Sequence, residues 1–141
     1  MLSPHFLLPA AATVWLGAIF AAPYAREQGH WAAPFIYYFF HQICHQIPER
    51  SFFWAGHSLA VCQRCLGLYL GFWIGLICIP LLTAPVKWLL KNPRCVAYFF
   101  VPLGIDWATG GTAFSRSLTG LLAGLPVSVL LWEAGSDLET L

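Results

Sequence analysis

The sequence predicts an all-α integral membrane bundle of about four transmembrane helices, with a short interfacial helix and a Cys/His-rich loop. Three observations lead there. Hydrophobic residues fill 59% of the 141 positions and charged residues only 9%, against about a quarter charged in an ordinary soluble domain. Apolar runs recur between short polar breaks. The reactive side chains gather in one stretch, HQICHQIPERSFFWAGHSLAVCQRC (41–65), which holds three of the five cysteines and three of the five histidines. The length suits a single membrane domain, residues 1–141. A net charge of +1 offers no surface for nucleic acid and no polybasic membrane tether, so the expected partner is the lipid bilayer.

The first span is Phe6–Ala22, interrupted only by Thr13 and Gly17 and closed by Pro23 and REQGH. Its length approaches the roughly 20 residues that carry a helix across a bilayer. The segment lacks the positive start of a secretory signal, so it is read as a retained span. Next, APFIYYFFHQICHQIP has Pro34 where a first helical turn accepts proline and Pro48 where a helix must stop, near Ile47. That helix is too short to cross, and its aromatic residues suit the headgroup zone. Interfacial helix and Cys/His loop together occupy about residues 34–65.

Leu66–Val86 is the clearest span. Gly67, Gly71 and Gly75 fall at i, i+4 and i+8, a smooth groove for a second helix, and Gly120 with Gly124 offers the matching groove in the last span. KWLLKNPR then breaks the chain with three positive charges. Cys95–Ala108 and Leu118–Trp132 are shorter runs that cross by tilt or local thinning, or form a shallow hairpin. The acidic tail EAGSDLETL is expected to fray. Discounting Arg50 and Arg64 as site residues leaves the Lys87–Arg94 loop as the cytoplasmic one and turns the cysteine loop outward. The expected location is the cytoplasmic membrane of a prokaryote.

Within the loop, Cys62 and Cys65 are spaced i, i+3 where the second span begins. The positive end of that helix and Arg64 both favour thiolate, the form that binds soft metals or attacks a disulfide. If HQICH is helical, His41, Cys44 and His45 share one face. Cys44, Cys62 and Cys65 with one imidazole then make a zinc set of the Cys₃His type. The nitrogen is open between His45, His41 and His57, because neighbours such as Cys44 and His45 chelate one ion awkwardly. Arg50 and Arg64 would offset the net −1 of a trithiolate site from just outside it. Iron, non-covalent haem held by two of the histidines, or a quinone are the alternative cofactors. Cys78 and Cys95 lie in or beside spans and read as packing residues.

CHQIPERSF followed by VCQRCLGLYLG resembles the predicted membrane proteins of domain-of-unknown-function family 2085. Cys44, His45, Gln46, Arg50, Ser51 and Phe52 match the first half of its pattern, and Cys62, Arg64, Cys65, Gly67, Tyr69 and Gly71 the second. A later feature, an acid near a span end followed by a basic residue and T-G, looks like Asp106, Arg116, Thr119 and Gly120. The resemblance covers about Cys44 to Gly120 and implies a multispan membrane protein, without an activity.

Asp106 follows FFVPLGI in a short span, where acids are costly enough to suggest function. Arg116, across the Gly110–Gly111 turn, is its expected partner. Three readings follow. In the first, a zinc-like site clamps the 41–65 loop onto the second span, structurally or, with an open position, catalytically with Asp106 or His57 as proton acceptor. In the second, a membrane thiol–disulfide oxidoreductase passes electrons to a quinone through Cys62–Cys65 and Cys44. In the third, the chain is an accessory subunit whose glycine grooves take other membrane subunits or a second copy.

Overall fold

The computed structural model describes residues 4–81, 89 and 91–139. Helix α1 (Pro4–Glu27) carries the first apolar run past its expected end, through both Pro9 and Pro23. Pro23 is fully buried. In apolar surroundings the backbone has no water to turn to, so a helix continues through a proline where a soluble one would stop. Helix α2 (Ala33–His41) opens with proline as anticipated but ends six residues before Ile47. A 3-10 turn at Pro48–Arg50 leads into a two-stranded antiparallel hairpin, β1 (Ser51–Trp54) and β2 (His57–Cys62). The region read as a loop is therefore half hairpin. Its signal was muted, because the two-residue turn uses Ala55 and Gly56, both left-handed (φ 52° and 74°). Such turns usually advertise themselves as Asn-Gly or Asp-Gly.

Helix α3 (Gln63–Cys78) follows β2 with no intervening residue and runs into a 3-10 turn that ends at Leu81. The last five residues expected of the second span, 82–86, and Lys87 and Trp88 of the basic loop lie outside the described residues. Helix α4 (Pro93–Thr109) ends on Gly110, left-handed at φ 77°. Helix α5 (Ala113–Glu139) is longer than the expected Leu118–Trp132 run and continues through most of the acidic tail.

Among the described residues, three helices are long and apolar enough to cross a membrane: Phe6–Glu27, Gln63–Leu81 and Ala113–Gly135. Only 28%, 33% and 39% of their most apolar stretches are buried inside the protein. Large side chains such as Phe6, Val14, Leu81, Tyr98 and Phe114 point outward. A surface this apolar is matched by lipid, not water. The principal seam joins α3 to α5. A methyl on Gly67 would overlap the Ser117 carbonyl, one on Gly71 the Leu121 carbonyl, and one on Gly124 the Leu68 carbonyl. The two backbones touch because these side chains are missing. Helix α1 stands beside the hairpin, and Leu16, Ile19 and Ala22 pack with Phe40, Leu59, Ala60, Val61 and Leu66 into one buried cluster. Cys44 belongs to the same cluster, and Cys62 and Cys65 pack against it.

Candidate metal centre

Three chain segments meet at the mouth of α3. Strand β2 delivers Cys62, whose extended backbone (φ −73°, ψ 163°) also starts the helix, and Cys65 follows in the first turn. Cys44 arrives from the segment after α2, where its N–H donates to the Phe40 carbonyl at 2.9 Å. Gln46 fixes that segment. Its side-chain amide donates to the Tyr37 carbonyl at 2.8 Å and to the Ala60 carbonyl at 2.7 Å, tying α2 to β2 from a left-handed backbone (φ 51°). The Tyr37 hydroxyl adds a 2.5 Å bond to the Ser58 carbonyl, and Ser51 donates to the Ile47 carbonyl at 2.9 Å.

The outcome is a trio. The sulfurs of Cys44, Cys62 and Cys65 all lie within 4.8 Å of one another, and the Cys62 N–H donates to the Cys44 sulfur at 3.2 Å. With zinc–sulfur bonds of about 2.3 Å, a tetrahedral site needs sulfurs about 3.8 Å apart, so the trio can close on an ion with small movements. Cys44 is buried and the other two are half-buried. No cysteine among the described residues is paired in a disulfide. Hydrogen bonds from the Cys44 and Cys65 thiols hold the Cys62 thiol far below its usual range. Thiolate is the form a metal takes up.

The imidazoles are arranged differently from the expectation. HQICH is not one helical face: α2 ends at His41, and the left-handed Gln46 that clamps the loop cannot continue a helix. His41 is exposed at the helix end. His57 pairs with Trp54 beside the hairpin turn, five residues and about 16 Å of strand from Cys62. His45 is exposed but lines the same cavity as the three cysteines. Among the described residues, the group of ligand atoms within 4.8 Å contains the three sulfurs and no imidazole nitrogen.

The acid beside the site also has a different partner. Asp106 is buried (side chain 4% exposed) and pairs with Arg64, 42 residues away, while its other oxygen accepts the Ser115 hydroxyl at 2.5 Å. Arg116, the expected partner, donates instead to the Gly110 carbonyl at 2.5 Å. Gly111 completes the fit, since a methyl there would overlap the Asp106 carboxylate. Ser115 serves two purposes. It exchanges bonds with Thr112 at the start of α5 (2.8 and 3.2 Å) and turns its hydroxyl to Asp106. A threonine at a helix start is an N-cap signal legible in the sequence, yet the link of Ser115 to Asp106 follows only from the fold. A cavity of about 280 Å³ opens over the trio, bordered by Arg50, Arg64, Arg116 and His45 as well as the three cysteines.

Comparisons with known proteins agree with a membrane assignment. A family model described as "Predicted membrane protein (DUF2085)" matches residues 44–130, the stretch that contains the trio, Asp106 and both glycine grooves. An uncharacterized protein of Methanocaldococcus jannaschii is 32% identical over 122 residues, covering 78% of each chain. An uncharacterized protein of Methanothermobacter thermautotrophicus is 35% identical over 97 residues, or 64% of this chain and 86% of its own. No solved structure matches the chain.

Proposed function

The chain belongs to the DUF2085 family of predicted membrane proteins, and we propose that it is a small integral membrane protein built around a zinc-binding cysteine trio at the mouth of α3. One observation carries the reading: three sulfurs from two separate segments, 18 positions apart in sequence, converge within 4.8 Å. Buried cysteine is common as a small apolar residue, but packing alone gives no reason to gather three. Cys44, Cys62 and Cys65 hold the ion, and His45, on the rim of the same cavity, supplies the fourth position by a turn of its loop. The metal then clamps the 41–65 segment onto α3. The role is structural, since four protein ligands leave no open position for chemistry.

In this reading α4 is a thin fourth crossing, shorter than the usual span. Helix α2, with exposed Phe35, Tyr38 and Phe39, lies in the headgroup zone. The protein serves as an accessory part of a larger complex in a prokaryotic cytoplasmic membrane, its outward apolar surface available to neighbouring subunits.

Elemental analysis of the purified protein beside Cys62→Ala tests the metal. About one zinc per chain, lost in the variant, is the expected result. Metal-free protein that stays folded with three reactive thiols would overturn it. Thiols that turn into a disulfide on adding quinone would instead establish the oxidoreductase alternative.

A further inference from the structure

The cavity beside the three sulfurs carries more positive charge than the protein neutralises. Arg50, Arg64 and Arg116 border it, and no carboxylate does so among the described residues. Asp106 is in contact with Arg64 and is felt by Arg116 as well, so a single carboxylate serves two guanidinium groups, and Arg116 donates to the uncharged Gly110 carbonyl. The Nε of Arg64 is buried and meets no hydrogen-bond partner among the described residues. A buried donor left unmet is destabilising, and like charges around one space repel. A metal on the trio does not remove the surplus. Three thiolates and a divalent ion sum to −1, Asp106 contributes −1 and the three arginines +3, which leaves +1.

We propose that this cavity binds a small oxyanion, a phosphate or phosphate monoester or diester group, through Arg50, Arg64 and Arg116. Planar guanidinium forks suit phosphate oxygens better than lysine would. At about 280 Å³ the volume lies at the small end of ligand pockets and suits one phosphate group rather than a large cofactor. The phosphate comes either from solution or from a lipid headgroup at the edge of the bilayer. The inference goes beyond the metal reading and rests on the arginines, not on the sulfurs.

The test uses the whole protein in phosphatidylcholine nanodiscs, titrated with inorganic phosphate by calorimetry at low ionic strength. Saturable binding is expected, weakened about tenfold in Arg116→Gln and in Arg50→Gln, the loss of one charge-assisted bond each. A second arm replaces part of the phosphatidylcholine with phosphatidylglycerol and follows thermal unfolding. Stabilisation of the parent protein but not of the variants, without binding of free phosphate, assigns the headgroup as the source. Should Arg116→Gln fail to fold, the exposed Arg50 carries the test alone. If neither phosphate nor phosphatidylglycerol separates the parent from a folded Arg50→Gln, the inference is wrong. Zinc content measured in the same samples distinguishes that failure from a failure of the metal reading.

Discussion

The seam between α3 and α5 and the mouth above it are built from the same two helices by opposite means. Along the seam, specificity comes from what is missing: at Gly67, Gly71, Gly120 and Gly124 one backbone rests on the other. At the mouth it comes from what is added: three sulfurs, three guanidinium groups and one carboxylate from four chain segments. In lipid, helices gain little from hiding apolar surface, so close approach and dispersion hold them together. Where water enters, charge balance and satisfied donors take over. One region tolerates no extra atom, and the other no lost partner.

The sharpest way to break the contrast is Gly71→Leu. The atoms nearest a side chain at Gly71 are all Leu121 backbone, which cannot swing aside, so overpacking should exceed about 3 kcal/mol and leave no folded protein. A cooperative melt in detergent close to that of the parent would refute the seam. Asp106→Ala comes next. It strands Arg64 in a half-buried place and should lower stability by about 3 kcal/mol, the low end for a broken buried pair because Arg64 is 22% exposed. Chemical denaturation measures it, and an effect below about 0.5 kcal/mol, the range of ordinary surface changes, would show the pair to be ornamental.

Gln46→Ala removes the donor to two carbonyls and should cost about 2 kcal/mol. On the proposed zinc reading it should also weaken metal binding, by about the 10- to 100-fold seen when a supporting group is lost, as read by competition with a chelator. Unchanged affinity would mean that Cys44 is held without it. Chelation itself should speed hydrogen exchange across residues 43–62 while leaving the α3–α5 seam protected; equal loosening of both would erase the division between them. The smallest effect is Gly17→Ala. Among the described residues nothing lies within 4 Å of the added methyl, so better helix propensity should raise stability by about 0.5–1 kcal/mol. A loss would show that Gly17, too, faces a neighbour.

These two regions were unequally legible in the sequence. Apolar length announced α1, α3 and α5, and glycine spacing pointed to the α3–α5 contact, because both signals are local and periodic. Cys44, Cys62 and Cys65 stood out by type. What failed was geometry set by distant contacts. The Asp106–Arg116 pairing looked natural at ten residues' separation, but the fold brings Arg64 from 42 residues away. The helical reading of HQICH failed because Gln46 turns left-handed to reach Tyr37 and Ala60, bonds that no periodicity encodes. Gln46 stood inside the CHQ pattern without a role, and its role is to hold the chain.

Strand β2 passes into α3 without a spacer, so Cys62 and Cys65 are measured off along a single rigid ruler. One residue inserted between them would turn every later position of the helix by about 100°. Cys65 would face away from Cys44, and every glycine below it would leave its contact with α5. The distance from one sulfur to the next therefore sets the phase of the whole transmembrane groove, and chain length at that junction is fixed from both ends at once.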